Sequence, residues 1–416
     1  MPNFGGMKAS TIIASLLLSI SAFGQTYFPP AVGDWETVDP AETLGWCPDR
    51  LDSLDAFMAA HGTRALVILH EGRIAHEAYY NGGGQDSVWY WASAGKTVTS
   101  ALVGVLASEG LLSLEDPTSD WLGDGWTSLE PNQESAIEIR HQLTMTTGLD
   151  DGTGESNCTL PACLTFLEPA GERWAYHNGP YTLLTNVVEA VAGQPLNVVL
   201  FNRIRQAIGM TAVYAILPGD PYNRVVVSRA RDMARFGLLA SENFTWNGNS
   251  LITDPAYLDG AFAATQPHNA CYGHLWWLND GDNHMLPSTQ LVFDGPLVPN
   301  GPPDLRMALG KNDQKIHIAP SAGLVIVRMG ESAGETTLAA SSFDNQIWAH
   351  LNLLSLGCGA CAYDLDGDGV VAVGDVLVFL GGFGGGGPEA VGDFNGDGGT
   401  STADLLALLG AFGTTC

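Results

Sequence analysis

A repeat near its C-terminal end limits most strongly how this chain can fold. The stretch DLDGDG at 364–369 returns 29 residues later as DFNGDG at 393–398. From residue 358 onward the sequence contains 16 of the chain's 51 glycines and eight acidic residues, but no lysine or arginine. This shift in composition predicts two units, a domain over 25–356 and a short duplicated tail over 357–416.

Each copy of the repeat has oxygen ligands at the spacing of a calcium loop. Ca²⁺ takes about six to eight oxygens, and carboxylates at loop positions 1, 3, 5 and 12 converge only if a glycine allows a sharp turn at position 6. The carbonyl at position 7 would complete the shell. An acidic glycine-rich linker is the alternative, but it does not explain the period. The predicted ligands are Asp364, Asp366, Asp368, Val370 and Asp375 in the first loop, and Asp393, Asn395, Asp397, Gly399 and Asp404 in the second.

On these motifs the whole tail resembles the dockerin-type duplicated calcium module, in which one helix follows each loop and Asp stands at position 12. The resemblance implies two calcium sites and folding that depends on the metal. Because dockerins bind cohesin modules, it also implies a cohesin-like or cell-surface partner for the tail.

The charge of the whole chain excludes some partners. The 416 residues include 45 acidic and 17 basic side chains, a formal charge of −28. Nucleic acids are held by clustered Lys and Arg, and anionic membranes attract basic segments, so we expect neither partner. With 45% apolar residues the chain can bury a sizeable core.

The first 24 residues predict a secretory signal peptide. Lys8 precedes an apolar run over 11–20, and small residues at 22 and 24 favour cleavage before Gln25. An uncleaved anchor is the alternative, but the run is shorter than the roughly 20 residues of a membrane span. We therefore expect a secreted, periplasmic or cell-surface protein, with no membrane span in the mature chain.

Seven cysteines fit an oxidising compartment. Cys158 and Cys163 flank a short loop and are the best candidate pair. Two of the three cysteines at 358, 361 and 416 could close the tail, although the sequence does not fix their pairing.

The sequence of the long domain predicts strands at both ends and helices between them. Two hairpins are predicted, one joining runs at 64–70 and 73–80 and the other joining runs at 314–319 and 323–328. Helical periodicity covers 97–109 and 342–354. This order predicts an α+β fold, in which the two ends build one antiparallel sheet beside a helical region.

Two short segments carry the candidate chemistry. Ser93 and Lys96 stand three residues apart at a helix start and so share one face. Burial lowers the pKa of a lysine, and the neutral amine could then activate the serine as a nucleophile. Tyr176 and Asn178 follow 83 and 85 residues after Ser93. We expect an adjacent ammonium to lower the pKa of Tyr176, Asn178 to assist binding, and His177 to be a bystander.

In this order the segments are similar to those of the serine β-lactamase-related hydrolases, namely class C β-lactamases, D,D-peptidases, family VIII esterases and nylon-oligomer hydrolases. Ser93-x-x-Lys96 matches the first family motif and Tyr176-His177-Asn178 the second. Segments IRHQLTMTTG (139–148), DMARFG (232–237) and YGHLWWL (272–278) resemble the framework. The resemblance implies an antiparallel sheet with helices on both faces and an all-helical subdomain. It also makes Ser93 the acylated nucleophile and Lys96 and Tyr176 its acid/base partners.

The third family motif, usually Lys-Thr-Gly or His-x-Gly, is replaced here by Gly310-Lys-Asn-Asp-Gln314. We therefore expect a serine hydrolase for esters or small linear amides, without a cofactor for catalysis. Trp276 and Trp277 are candidates to line its substrate pocket. The alternatives are a D,D-peptidase or β-lactamase acting on cell-wall-like amides, and an inactive binding or adhesion protein on the same fold.

Overall fold

The structure is a computed structural model that describes residues 26–152, 156–219, 222–334, 339–355, 363–387 and 390–414. The predicted signal peptide at 1–24 and the cysteines at 358, 361 and 416 lie outside the described residues. Within the described part of the chain, no single helix is both long and apolar enough to cross a membrane, and one bent pair, Asn178–Ala192 with Leu196–Ile208, passes that test only by length and composition.

Most of the strand residues lie near the two ends of the long domain, as the sequence predicts. Both predicted hairpins are present, and they bring 63–79 and 314–330 into one sheet. The strands are β1 (Thr63–His70), β2 (Arg73–Tyr79), β3 (Trp89–Tyr90), β4 (Val213–Ile216), β5 (Arg224–Ser228), β6 (Thr245–Trp246), β7 (Asn249–Ser250), β8 (Trp277–Leu278), β9 (Asn283–Met285), β10 (Val292–Asp294), β11 (Arg306–Gly310), β12 (Gln314–Ala319) and β13 (Leu324–Gly330).

The main sheet is antiparallel and has the strand order β2-β1-β13-β12-β11-β8. β1 pairs with β13, so the beginning and end of the domain close the sheet against each other. All seven residues of β13 are buried, because both faces of the sheet are covered. The predicted assembly of one sheet from the two ends is confirmed.

Helices account for the rest of the regular structure. The predicted helices over 97–109 and 342–354 are present within one residue at each end. The helices are α1 (Pro40–Leu44), α2 (Pro48–Ala60), α3 (Lys96–Ser108), α4 (Ser119–Leu122), α5 (Pro131–Glu134), α6 (Ile139–Leu143), α7 (Asn178–Ala192), α8 (Leu196–Leu200), α9 (Gln206–Ile208), α10 (Ala230–Ser241), α11 (Pro255–Ala261), α12 (Ser342–Leu353), α13 (Val373–Gly382) and α14 (Thr402–Gly410).

Alternate residues of β12 contact two different helices, and these contacts show that the helices lie on opposite faces of the sheet. A Cβ at Gly237 of α10 would lie 2.9 Å from Ile316, whereas Lys315 and His317 both contact Asp344 of α12. Because successive side chains of a strand point to opposite faces, α10 and α12 cover different faces. The predicted α+β fold with helices on both faces is confirmed.

The helical region lies between β3 and β4. It contains α3 to α9 and, among its described residues, no strand. α3 runs through the core, with 12 of its 13 residues buried. Its first residue, Lys96, lines a cleft together with Lys311 and Asn312 next to the sheet.

Candidate active site

The first predicted motif lies on a tight turn between β3 and α3. This turn is a 3₁₀-helix over Ala92–Gly95, and the buried Trp91 before it donates a hydrogen bond to Ser228 Oγ at 2.8 Å. Ala92 has a φ of 48°, a left-handed value that costs a non-glycine residue about 1–2 kcal/mol. Such strain persists where the surroundings impose it. Here it stands immediately before Ser93, which lines an open cleft.

Lys96 is the first residue of α3 and faces back toward the serine. Its Nζ lies 2.8 Å from Ser93 Oγ, within hydrogen-bond distance. The lysine side chain is almost fully buried, at 3% exposure. Burial lowers its pKa to about 7, because a charged ammonium is poorly solvated there. A large share of the amine is therefore neutral at pH 7 and able to accept a proton.

Tyr176, in the segment before α7, also lies beside Lys96. Its ring centroid lies 4.9 Å from Lys96 Nζ, and its side chain lines the cleft together with Ser93. The expectation of a lowered tyrosine pKa is wrong, because burial raises the pKa of Tyr176 and outweighs the lowering effect of Ser93. Tyr176 therefore keeps its proton at neutral pH and can donate it.

Tyr181 belongs to this cluster, although the sequence did not single it out. Its ring centroid lies 4.4 Å from Lys96 Nζ, and burial raises its pKa to about 12. Tyr181 stands three residues after Asn178 on α7, so the two share one helical face. That spacing is the sequence signal that could have identified it.

Asn178 lies at the first position of α7 and lines the cleft. Its Nδ2 donates to Asn157 Oδ1 at 2.9 Å, while its own Oδ1 is buried with no hydrogen-bond partner among the described residues. Asn157 directly precedes Cys158, which forms a disulfide with Cys163. The predicted pairing of these two cysteines is confirmed. The disulfide loop thus supports one wall of the cleft.

His177 is not among the residues that line the cleft. It is 4% exposed, and burial lowers its pKa to about 4. Its neighbours Tyr176 and Asn178 both line the cleft, which matches the expectation that His177 points elsewhere.

The segment that replaces the third motif turns directly against the turn that carries Ser93. We call Lys311–Asp313 the third-motif turn; Lys311 and Asn312 line the cleft with Ser93. We call Ala92–Gly95, which carries the candidate nucleophile Ser93, the nucleophile turn. A Cβ at Gly310 would lie 2.3 Å from the Trp91 carbonyl oxygen, so only glycine fits where β11 meets the nucleophile turn. β11 therefore brings the backbone of the third-motif turn close to the turn that carries Ser93, even though the usual side chains of the motif are missing.

The structure does not place Trp276 and Trp277 in the substrate pocket, and this prediction is wrong. Both are fully buried, at 0% and 1% exposure, and neither lines the cleft. Trp277 stacks on Tyr176 with a centroid distance of 5.7 Å, and Trp276 stacks on Phe236. The prediction fails because the sequence does not show which aromatic side chains the folded chain covers, and both of these pack against other aromatic rings in the core.

The cleft has a volume of about 450 Å³, enough for a small organic substrate. Several residues that line it come from distant segments and carry no motif, so sequence reasoning missed them. These residues are Tyr90, Asn157, Tyr181, Asn223, Arg224 and Ser288.

In the tail, a helix follows each acidic loop, α13 after the first and α14 after the second. Carboxylate oxygens lie within 4.8 Å of one another in each loop. Asp364 and Asp393 each accept three backbone N–H groups from their own loop. Asp375 and Asp404 are buried and bond to backbone N–H groups of the loop and of the helix start. The two residues with predicted carbonyl ligands, Val370 and Gly399, each donate an N–H to the preceding aspartate.

Two bacterial proteins are among the solved structures that share this architecture. A Bacillus anthracis protein described as a putative 6-aminohexanoate-dimer hydrolase has a TM-score of 0.59 at 21% identity, covering 79% of this chain and 91% of that one. A beta-lactamase from Mycobacterium bovis has a TM-score of 0.52 at 18% identity, covering 74% and 100%. At these identities the similarity shows the fold alone.

Sequence comparisons agree with the fold. An uncharacterized protein of Alkalihalophilus pseudofirmus is 24% identical over 309 residues, which is 65% of this chain and 84% of that protein. A family model described as Beta-lactamase matches residues 52–301. Because this match spans more than half of the chain, the protein belongs to the beta-lactamase family.

Proposed function

We propose that the chain is a serine hydrolase that cleaves ester or amide bonds through an acyl-enzyme on Ser93. The observation that carries this proposal is the 2.8 Å contact between Ser93 Oγ and the buried Lys96 Nζ. A hydroxyl becomes a nucleophile when an adjacent base removes its proton, and the lowered pKa of Lys96 supplies that base near neutral pH.

The reaction then follows from the positions of these groups. Lys96 accepts the proton of Ser93 as Oγ attacks the substrate carbonyl. Tyr176, which keeps its proton, donates it to the leaving oxygen or nitrogen and later accepts a proton from the hydrolytic water. As the bond between the acyl group and Ser93 Oγ breaks, Lys96 returns its proton to Oγ. The N–H of Ser93 and an N–H of the third-motif turn stabilise the oxyanion. Asn178 offers its unpaired Oδ1 to a substrate N–H.

We favour esters and small linear amides over β-lactams as substrates. The third-motif turn has no Lys-Thr-Gly, the set of side chains that the resemblance associates with recognition of a β-lactam carboxylate. Nitrocefin turnover at a rate typical of a dedicated β-lactamase would overturn this preference. Cleavage of D-alanyl-D-alanine peptides would favour the D,D-peptidase alternative.

A fluorophosphonate probe tests the nucleophile. We expect the purified full chain to be labelled at Ser93, and Ser93→Ala to lose both the label and the ester turnover. Asn178→Ala is the comparison, because it alters the cleft without removing the nucleophile and should keep the label. An unlabelled, inactive wild type would favour the binding or adhesion protein instead.

We propose further that the mature chain begins at Gln25, is exported, and consists of the hydrolase domain (25–356) followed by the tail (357–416). A separate apolar cluster of Val371, Phe379 and Leu408 supports the tail as its own unit. N-terminal sequencing of the exported protein tests the cleavage site, and a mature chain that still carries Lys8 would contradict it.

For the tail, we propose that each acidic loop binds one calcium ion. The donor set fits, since hard cations prefer carboxylate and carbonyl oxygens and each loop brings carboxylates within 4.8 Å of one another. Calorimetric titration of the full chain with CaCl₂ should give about two sites. The double variant Asp364→Asn with Asp393→Asn should weaken both sites, and two unchanged sites would contradict the assignment.

The tail is also a candidate for attachment to a cohesin-like or cell-surface partner. Exposed apolar residues repeat with the same 29-residue period, in the pairs Leu377/Leu406, Leu380/Leu409 and Phe383/Phe412. Binding of a purified cohesin module should require calcium and should weaken when Leu377 and Leu406 are both replaced by serine. Binding that persists in chelator would contradict this role.

A further inference from the structure

We propose that Arg328 is a positioning residue for this hydrolase, because its buried guanidinium holds the third-motif turn in place beside Ser93. The inference rests on the proposed function. Arg328 lies on β13, which pairs with β12 directly after the turn. In this proposal its side chain fixes the position of the backbone N–H groups that stabilise the oxyanion.

The third-motif turn needs such support because its backbone is unusual. Asn312 and Asp313 have φ values of 59° and 57°, so two consecutive non-glycine residues occupy the left-handed region. A turn of this kind relaxes unless surrounding contacts impose it.

Arg328 uses every donor of its guanidinium to hold backbone and side-chain oxygens. Nη1 donates to the carbonyl oxygens of Asn312 and Asp313, both at 3.0 Å. Nη2 donates to the carbonyls of His61 and Glu331, and Nε to Thr63 Oγ1. The residue is 0% exposed, so these bonds are shielded from water. They tie the turn to the start of β1 and the end of β13, which lie side by side at one end of this strand pair.

The side chain of Asp313 anchors the same turn on its other side. Its Oδ1 accepts a hydrogen bond from Ser341 Oγ at 2.6 Å and lies 3.2 Å from Lys315 Nζ. Its Oδ2 accepts the N–H of Ala333 at 2.9 Å. Lys315 in turn lies 2.8 Å from Asp344 of α12. The turn is therefore connected through buried ionic contacts to a helix on one face of the sheet.

Side-chain amides complete the support. Gln314 Nε2 donates to the carbonyls of Asn312 at 2.7 Å and Gly330 at 2.6 Å. Asn312 Nδ2 donates to the hydroxyl of Tyr90 at 2.7 Å, and both residues line the cleft together with Ser93. Since β11 also meets the nucleophile turn without space for a Cβ at Gly310, a displaced turn would change its distance from Ser93.

The consequence is catalytic rather than only structural. Reacting groups that are misplaced by about 1 Å can lose roughly 100-fold in rate, and a lost oxyanion donor costs about 100- to 1,000-fold. Loss of Arg328 should therefore slow acylation of Ser93 even in molecules that remain folded.

Arg235 on α10 provides a matched control. It is 4% exposed and also donates to backbone carbonyls, at Pro29, Pro30 and Ile208, but it does not line the cleft or contact the third-motif turn. Arg328→Met and Arg235→Met each leave buried carbonyls unpaired, so both should lower the Tm. Only Arg328→Met should also impair the site.

The test compares wild type, Arg328→Met and Arg235→Met in the full chain, at a temperature below the unfolding transition of all three. We expect Arg328→Met to slow fluorophosphonate labelling of Ser93 and to lower kcat by about 10- to 100-fold with KM changed less. Arg235→Met should stay within about twofold of wild type. If Arg328→Met does not fold, Asp313→Asn carries the same expectation, because it removes the charge that pairs with Lys315.

Equal labelling rates for the Arg328 or Asp313 variant and the Arg235 control would overturn the inference while leaving the proposed function intact. A wild type that is neither labelled at Ser93 nor active on esters would instead overturn the proposed function. The two failures are therefore distinguishable in one experiment.

Discussion

At the scale of single residues, the site depends on a lysine whose charge is suppressed. Lys96 lies 2.8 Å from Ser93 and between two tyrosine rings, and only burial is responsible for its lowered pKa. Tyr176 is also buried, but burial acts on its pKa in the opposite direction, because the phenol is neutral when protonated and the amine is neutral when deprotonated. Burial thus favours both the neutral amine and the neutral phenol, which are the forms that the proposed base and acid need at neutral pH.

This pair of shifts predicts the pH dependence of ester hydrolysis. The active form needs neutral Lys96, so kcat/KM should rise with pH, reach half of its plateau near pH 7, and fall about tenfold per unit below that. Tyr176 should not limit the rate near pH 10, because its pKa is raised above the ordinary value. A pH–rate profile with a chemically stable ester measures this. A profile that is flat between pH 5 and 9 would contradict the role of Lys96.

A second residue-scale prediction separates Lys96 from His177, the more conventional base by chemistry. Lys96→Ala should lower kcat/KM by about 1,000-fold or more, because groups that act as a unit fail together. His177→Gln should change it by less than about tenfold, since His177 does not line the cleft. A larger loss for the histidine variant would contradict the assignment. Both variants need a Tm measurement, because both side chains are buried.

At the scale of secondary-structure elements, the contact between β11 and the nucleophile turn sets the geometry of the cleft. Gly310 leaves no space for a side chain. Gly310→Ala should therefore push the strand away from Trp91 and destabilise the fold by about 1–3 kcal/mol, with a loss of activity. Gly84→Ala is the control, because a Cβ there would meet only Ser87 Oγ at an ordinary 3.7 Å. Thermal unfolding and ester turnover of both variants check this prediction, which requires that only Gly310→Ala lowers the Tm and the activity.

The disulfide loop is the second element that shapes the cleft. The bond between Cys158 and Cys163 follows Asn157, which holds Asn178. Replacing both cysteines by serine should raise KM several-fold, because the segment that positions Asn178 loses its cross-link, while labelling of Ser93 persists. Asn157→Ala should give a similar change. An unaltered KM in both variants would show that the loop does not support the substrate side of the cleft.

At the scale of the whole molecule, the described residues of the tail and the hydrolase domain bury their apolar side chains in separate clusters. Val371, Phe379 and Leu408 form one cluster, and the sheet and its helices form the others. If calcium stabilises the tail, chelation should change the circular dichroism of the full chain but leave ester turnover within about twofold. A parallel loss of activity would mean that the two units are coupled.

The sequence alone determined the order of the motifs and part of the secondary structure. Both hairpins, the helices predicted over 97–109 and 342–354 and the antiparallel sheet follow from hydrophobic periodicity and turn residues, which are local properties. The Ser93–Lys96 spacing was readable for the same reason, since three residues at a helix start place two side chains on one face.

Only the tertiary structure decided what depends on burial and on contacts between distant segments. It places Trp277 behind Tyr176 rather than in the cleft, raises the tyrosine pKa where a lowered one was expected, and brings Arg328 to a turn 15 residues earlier in the sequence. Desolvation and long-range packing are set by which surfaces the folded chain covers. No local pattern in the sequence encodes that coverage.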